Sequence, residues 1–433
     1  MLIKQKIVKF YKESDNVLNE SYFWNAVSGM INAGQSVVLL MIIGRVRGIE
    51  DAGIFSIAYA IASLMLTIGN FGMRNYQATD SKEKYIYSEY LVSRIWTVII
   101  MLIVSIFYII KGRVFDGYSY YKMLIILLVC ILKILDAAED IFEGRCQQKG
   151  RLDIAAKCLA IRCIFTILSL CLTLLLFKNF LLALCIAVII SVLFIVFYYN
   201  DIFCELGKVN FKAGKKRVSH LLYECFPLFA GSYLALYIGN APKYAIDSVM
   251  SSSDQACFNY VFMPVFVIGL LNNFIYQPIL SKLAIEWNSK KYRKFIHMVV
   301  RQLLVIVGLT ILVLIFGYLM GIPVLSVLYD NDLNDYKQEL MVLLLGGGML
   351  AFSGFFNVVL TIMREQKKML LGYFSVAAIA MLISRTIVKN FGTLGAAYLY
   401  GILMFILANV FGVIFVYVIK KCIKRTDICS ETV

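Results

Sequence analysis

Long apolar stretches separated by short polar gaps dominate this chain of 433 residues. Each stretch has about twenty residues, the length that a helix needs to cross the hydrocarbon of a bilayer. We expect helices, because lipid-exposed backbone must be hydrogen-bonded within its own segment and the stretches lack the polar–apolar alternation of barrel strands. The pattern predicts twelve spans, at 22–44, 53–73, 89–110, 122–142, 156–177, 180–199, 222–243, 257–280, 297–320, 339–362, 369–389 and 394–419.

Two parts of the chain match each other without gaps, at an offset of 203 residues. The matched pairs are Asp51 with Asp254, Phe55 with Phe258, Asn70 with Asn273 and Phe71 with Phe274. A match between corresponding positions of the two halves indicates a membrane protein built from two similar lobes. Within the second half, residues 240–266 are expected to end one span, turn through a short polar loop and begin the next.

Composition and charge agree with a membrane protein, since 61% of the residues are apolar and 16% are charged. In soluble proteins about a quarter of the residues are charged. With the N-terminus counted as inside, the inner segments hold 27 of the 42 Lys and Arg residues and the outer loops hold nine. This bias places both termini in the cytoplasm. It also explains the net charge of +15 without a nucleic-acid partner, and no basic and aromatic recognition module is present.

The longest basic loop divides the chain almost in half. We expect a cytoplasmic N-terminal segment at 1–20, an N-lobe with spans 1 to 6 at 21–200, a cytoplasmic basic linker at 201–221, a C-lobe with spans 7 to 12 at 222–419 and a cytoplasmic tail at 420–433. For residues 1–20, a basic amphipathic helix on the membrane surface and a solvated tail are equally consistent with the sequence. Three consecutive glycines, at 346–348, lie inside a span and predict close helix packing or a hinge.

The fourth span is the most charged. Lys133, Asp136 and Asp140 follow one another at i, i+3 and i+7 and so form one stripe on a helix. Such charges must face protein or water because lipid solvates them poorly. A short hairpin leads to span 5, so we expect Lys157 to approach the stripe and Arg162 to pair with Asp136 or Asp140. Two interpretations stay open: an ion-pair network that joins spans 4 and 5, and an element that responds to protons or cations, since burial raises a carboxylate pKa.

Further cations lie near the predicted ends of spans. Arg45 follows span 1 at the outer side, Arg74 follows span 2 at the inner side, and Arg94 opens span 3. Lys243 ends span 7, with Asp247 one turn further along the same helix face. One such cation alone can be a topology anchor that reaches lipid phosphates. As a group, these four cations are the candidate substrate-binding residues. The candidates for ion pairing or coupling are Lys133, Asp136, Asp140, Arg162 and Asp247.

Several motifs carry a resemblance to a known family. They are G-R-V-R-G-I-E-D-A-G-I-F-S at 44–56, F-G-M-R-N-Y at 71–76, D-A-A-E-D-I-F-E-G-R-C-Q-Q-K-G-R-L-D at 136–153, N-A-P-K-Y-A-I-D at 240–247 and F-M-P-V-F at 262–266. With these, the chain resembles the polysaccharide-exporter branch of the multidrug/oligosaccharidyl-lipid/polysaccharide (MOP) transporters, the Wzx-type O-antigen flippases. The resemblance implies an all-α fold of about twelve transmembrane helices, in two six-helix lobes around a central cavity. Spans 1, 2, 7 and 8 would line that cavity and place Arg45, Arg74 and Lys243 on or near it.

The family's activity is implied in the same way. It is the movement of undecaprenyl-pyrophosphate-linked oligosaccharide from the inner to the outer leaflet of a bacterial cytoplasmic membrane by alternating access, without enzymatic chemistry. A pyrophosphate cannot cross hydrocarbon unpaired, because its desolvation costs on the order of tens of kcal/mol. Fixed arginines replace the lost hydration through paired hydrogen bonds. Lipid-linked oligosaccharide and membrane lipids are the expected partners of a monomer.

Two other functional classes stay open. A cation-coupled multidrug exporter of the MATE type would favour a cavity lined by carboxylates. A membrane glycan polymerase or glycosyltransferase would carry a sizeable external catalytic loop, whereas the longest outer loop here lies near 321–338. We expect no catalytic residue, metal or cofactor. Coupling to a proton gradient, a sodium gradient or the membrane potential stays open, as do the glycan and contacts with polysaccharide assembly machinery.

Overall fold

A computed structural model of the protein describes residues 8–14, 16–80, 83–202, 213–276 and 279–431. In these ranges helices are the only regular secondary structure. The chain divides into two compact units, Met1–Tyr233 and Leu234–Val433. The boundary lies inside a helix, and residues 203–212 of the predicted linker lie outside the described ranges, so the predicted domain limits stay a prediction.

The first unit is built around its second helix. Its helices are α1 (Val17–Arg47), α2 (Ile49–Asn70), the short α3 (Met73–Thr79), α4 (Tyr87–Phe115), α5 (Tyr120–Gln148), α6 (Leu152–Phe177), α7 (Phe180–Phe197) and the first part of α8 (Lys215–Val249). Helix α2 packs against α1, α4 and α5. Gly69 allows this close approach, because a Cβ there would lie 2.8 Å from Met101 Sδ and 2.9 Å from Ala137 Cβ. Phe71 and Gly72, with φ of 49° and 68°, end the helix in left-handed conformations.

The second unit contains the rest of α8. Its other helices are α9 (Ser252–Tyr276), α10 (Leu280–Asn288), α11 (Tyr292–Phe316), α12 (Ile322–Tyr329), α13 (Lys337–Ile362) and α14 (Gln366–Glu431). The predicted close packing of the three glycines is confirmed. Added Cβ atoms at Gly346 and Gly348 would lie 2.6 Å from the Tyr400 ring and 2.4 Å from the Thr310 side chain. These glycines let α13 lie directly against α14 and α11.

The predicted fold class, a multi-pass all-α membrane protein, is confirmed. Nine helical segments of the described residues are long and apolar enough to cross a membrane. One of them, Gln366–Ile423, holds predicted spans 11 and 12, which Gly392 separates with a φ of 61° and a ψ of −146°. Helices α5 and α9 correspond to predicted spans 4 and 8 and bring the arrangement to about twelve spans.

One local boundary shifts and one local prediction is wrong. The predicted short polar loop between spans 7 and 8 is only Met250 and Ser251, because α8 continues to Val249 and keeps Lys243 and Asp247 on one helix, as predicted. Lys157 does not approach the charged stripe. It lies 2.5 Å from Glu20 and donates to the Phe10 carbonyl at 3.2 Å, so it joins the N-terminal segment to the first unit.

That segment is part of the first unit where the structure describes it. Residues 8–12 are helical, and Tyr11 is buried with its hydroxyl 3.2 Å from the Tyr198 hydroxyl. Arg151 donates to the Lys12 carbonyl at 2.6 Å and pairs with Asp153 at 3.0 Å. A solvated tail does not describe residues 8–12, because specific contacts hold this helix against α6 and the end of α7.

Candidate functional site

A buried ion-pair network runs along α5 in the first unit. Lys133 Nζ lies 2.8 Å from Asp136 Oδ2, and Arg162 of α6 reaches Asp136 Oδ1 at 2.7 Å. Arg162 Nε also donates to Glu139 Oε2 at 2.5 Å. The predicted pairing of Arg162 with Asp136 is therefore confirmed, and Glu139 is an additional partner. Lys133, Glu139 and Arg162 are 5% exposed or less, so these charges are compensated inside the protein rather than by solvent.

The network continues towards the C-terminal end of α5. Arg94 of α4 lies 2.5 Å from Asp140 and also donates to the Gly69 carbonyl at the end of α2. Arg74 of α3 donates to Glu143 and lies 3.7 Å from Asp140. Asp140 therefore joins two arginines from different helices. Four cations balance four carboxylates along this line, and buried charges persist only when they are paired in this way.

The predicted stripe does not include Glu139 and Glu143, although their spacing in the sequence indicates them. Asp136, Glu139, Asp140 and Glu143 follow one another at i, i+3, i+4 and i+7, which is one face of a helix. Helix α3 reaches this face because Gly144 has no side chain. A Cβ at Gly144 would lie 2.4 Å from Gln77 Oε1, so the buried Gln77 side chain would have to move.

Two cavities border the network within the first unit. A small one of about 20 Å³ is lined by Lys133, Asp136, Arg162 and Tyr59, among others, and has room for about one water. A larger one of about 170 Å³ is lined by Arg74, Glu143 and polar residues of α1 that include Ser28. The Arg74 side chain is 27% exposed, so a polar ligand in the larger cavity can reach its guanidinium group.

The other candidate cations have different surroundings. Arg45 is exposed near the end of α1, about 25 Å along the helix from Ser28 at 1.5 Å per residue. Arg94 is 2% exposed and bound to Asp140, so its charge is already balanced inside the protein. Lys243, in the second unit, is buried with Nζ 4.3 Å from the centre of the Phe262 ring, and Asp247 lies half-buried one turn further on. Roles in binding or coupling stay predictions for all of these residues.

A second polar cluster, which we call the Glu224 cluster, joins the start of α8 to the segment between α3 and α4. Glu224 accepts hydrogen bonds from the Tyr76 hydroxyl, from the Tyr85 hydroxyl at 3.0 Å and from Lys84 Nζ at 2.6 Å. His220 Nδ1 lies 2.5 Å from the Tyr85 hydroxyl. Burial and the neighbouring carboxylate raise the pKa of Tyr85 to about 12, so this hydroxyl keeps its proton at neutral pH.

Aromatic packing and a second ion pair extend the same contact. Arg217 donates to Glu89 and, at 2.5 Å, to the Lys84 carbonyl. Phe71 stacks on Phe229 with ring centres 4.4 Å apart. The sequence gives no indication of this docking, since the partners are more than a hundred residues apart and the chain between them crosses the membrane several times.

We expect Glu224→Gln to destabilise the protein by about 1–2 kcal/mol, because three donors lose a charged acceptor. The measurement is the thermal unfolding of the purified protein in detergent. Glu13→Gln is the matched control, since Glu13 pairs with Lys9 at 3.2 Å and both side chains are 66% exposed. Exposed pairs contribute little. Equal, small shifts for both variants would show that the Glu224 cluster does not stabilise the fold.

The profile of the family described as polysaccharide biosynthesis protein matches residues 18–284. No curated protein sequence matches the chain. The lipid II flippase MurJ in an inward closed conformation is 14% identical with a TM-score of 0.71, over 89% of this chain and 86% of that one.

Two MATE transporters are similar in structure as well. A multidrug resistance MATE family transporter of the MOP superfamily, inward-facing, is 14% identical with a TM-score of 0.66, over 92% of this chain and 96% of that one. The Vibrio cholerae MATE transporter VcmN in the bent form is 10% identical with a TM-score of 0.61, over 97% and 98%. At such identities the likeness shows the fold alone. The chain is thus a multi-pass membrane protein that belongs to the polysaccharide biosynthesis protein family and has the fold of the MOP transporters.

Proposed function

We propose that this protein is a flippase that carries undecaprenyl-pyrophosphate-linked oligosaccharide from the inner to the outer leaflet of a bacterial cytoplasmic membrane. The observation that carries the proposal is the match to the polysaccharide biosynthesis family over residues 18–284, in a chain with a transporter fold. The predicted lobes at 21–200 and 222–419 would alternate in opening the path to the two leaflets. No covalent chemistry is needed, because only the leaflet of the lipid changes.

The first unit supports this proposal with a cation that a pyrophosphate can reach. Arg74 lines the larger cavity and is held there by Glu143 and Asp140. Arginine binds phosphate through two parallel hydrogen bonds, so a bound pyrophosphate would share this guanidinium group with the two carboxylates. Arg94 would act as a positioning residue, since its bond to Asp140 fixes a partner of Arg74. Arg45, exposed at the opposite end of α1, would meet the pyrophosphate on the other side of the membrane.

A MATE-type exporter is the second candidate, favoured by the structural likeness to MATE transporters. Such an exporter binds cationic drugs best where carboxylates are in excess. Along α5 each carboxylate of the network has a cationic partner, so the network offers no excess of negative charge to a cationic drug.

A translocation assay tests the proposal directly. Purified protein is reconstituted into vesicles that contain a fluorescent polyprenyl-pyrophosphate-linked oligosaccharide, and a membrane-impermeant quencher reports the lipid in the outer leaflet. We expect the quenched fraction to change only in vesicles that contain the protein, with the mass of the lipid-linked oligosaccharide unchanged. A changed mass would indicate an enzyme. Drug efflux without lipid movement would indicate the multidrug exporter.

The proposed orientation places both termini and residues 201–221 in the cytoplasm. We expect single cysteines introduced at Ser119 and Ser252, in a background without native cysteines, to react with an impermeant maleimide added to intact cells. Both positions lie at the predicted outer ends of helices, before α5 and at the start of α9. A cysteine at the exposed Ser289, between α10 and α11, is the control and should react only after the cells are opened. Failure at both outer positions would contradict the twelve-span topology.

A further inference from the structure

A groove lies on the exposed surface of the first unit between α4 and α5. Isoleucines of α4, including Ile109 and Ile110, line one wall, and Tyr120, Leu124 and Leu127 of α5 line the other. Its volume is about 300 Å³. Ile110 is 53% exposed and Leu124 48%, so the groove is open along its length rather than closed by protein. Because both helices are membrane spans, the molecules that can enter the groove are lipids of the bilayer.

Two cations lie at the end of the groove where the chain turns from α4 into α5, a connection we call the α4–α5 hairpin. Arg113 follows Ile109 and Ile110 by four and three residues and therefore extends the same face of α4. Its guanidinium carbon lies 4.6 Å from the centre of the Tyr120 ring, which lines the groove, and its Nη1 donates to the Tyr118 carbonyl at 2.8 Å. Lys122 Nζ lies 4.2 Å from the centre of the Tyr118 ring. The apolar wall thus ends in a small cationic cluster.

Arg113 retains capacity for a ligand. A guanidinium group carries five N–H donors in a planar fork, and the bond to the Tyr118 carbonyl uses one of them. The side chain is exposed, so its other donors face the surroundings of the helix end. Tyr120 adds an amphipathic ring at the same level, as is typical of the membrane–water interface.

We propose that this groove is a binding site for an anionic phospholipid, with an acyl chain along the groove and the phosphate on Arg113 and Lys122. The apolar wall matches a hydrocarbon chain, and the arginine fork matches the paired oxygens of a phosphate. Two cations select a lipid with a net negative charge over a zwitterionic one. The site does not depend on the proposed flippase activity.

Native mass spectrometry of the purified, delipidated protein tests the site. The probes are phosphatidylglycerol and phosphatidylethanolamine with identical chains. We expect the first lipid to bind about tenfold more tightly, because the ammonium group of phosphatidylethanolamine is repelled by the two cations that hold the phosphate. Arg113→Gln should remove this preference. Leu124→Trp, which fills the groove, should weaken the binding of both lipids. Leu124 is a surface residue, so this variant tests the site even if Arg113→Gln loosens the hairpin.

Lys111→Gln is the matched control, because Lys111 carries the same charge at the same end of α4 but lies about 100° round the helix from Ile110. Its lipid preference should stay within about twofold of the wild type, well below one charge-assisted hydrogen bond. An equal loss in Lys111→Gln and Arg113→Gln would show general surface electrostatics and overturn the proposal. Equal affinity for both lipids in the wild type would overturn it as well. Displacement of phosphatidylglycerol by undecaprenyl phosphate from the wild type, but not from Leu124→Trp, would assign the groove to a polyprenyl chain instead.

Discussion

Arg162→Gln should destabilise the first unit by about 3–5 kcal/mol, the cost of leaving a buried charge without its partner. Arg162 is 2% exposed and binds both Asp136 and Glu139. Its removal leaves Glu139, which is 1% exposed, without a cation. We expect a low yield of monodisperse protein and a markedly lower unfolding temperature in detergent. The matched control is Arg385→Gln, since Arg385 is exposed on α14, and it should unfold like the wild type.

A double variant separates charge balance from the loss of a side chain. In Arg162→Gln with Glu139→Gln, Asp136 keeps Lys133 at 2.8 Å and the line of charges stays neutral. We expect this double variant to recover most of the lost stability, because removing both partners of a buried pair costs much less than removing one. A double variant as unstable as the single one would show that Arg162 acts through packing and not through its charge.

How much of this protein can be predicted from its sequence depends on the range of the forces involved. Hydrophobic length alone predicts the helices, because a bilayer imposes one length on every span. It places the end of span 7 too early, because α8 continues past the apolar run to Val249, with Lys243 buried against Phe262. Polarity in the sequence marks a loop only where the backbone itself meets water.

The candidate site shows the same limit. The Arg162–Asp136 pair is predictable because a short hairpin joins α5 to α6. The meeting of Arg74 and Arg94 at Asp140 is not, since it requires α3 and α4 to pack on one face of α5. Charge spacing on α5 predicts that partners exist, but only the tertiary structure identifies them. The network interpretation of the stripe gains support from this geometry, and a coupling role stays a prediction.

The largest functional effect is expected at Arg45 and Arg74. If both bind the pyrophosphate, each replacement by Ala should reduce translocation of lipid-linked oligosaccharide about ten- to a hundredfold, the value of charge-assisted hydrogen bonds. Arg74→Ala alone also removes the cation that pairs with Glu143. The informative variant therefore combines Arg74→Ala with Glu143→Gln. In this variant Asp140 still pairs with Arg94. Arg45 is exposed, so Arg45→Ala should leave folding unchanged.

Replacement by Lys distinguishes charge from geometry at both positions. Lysine keeps the positive charge but lacks the planar fork, so Arg45→Lys and Arg74→Lys should translocate more slowly than the wild type and faster than the Ala variants. Membrane insertion and unfolding temperature, measured on the same preparations, control for folding. Arg301→Ala, at an exposed position on α11, should translocate normally. Full translocation by a variant with Arg45→Ala, Arg74→Ala and Glu143→Gln together would place the pyrophosphate site elsewhere, with Lys243 as the next cation to replace.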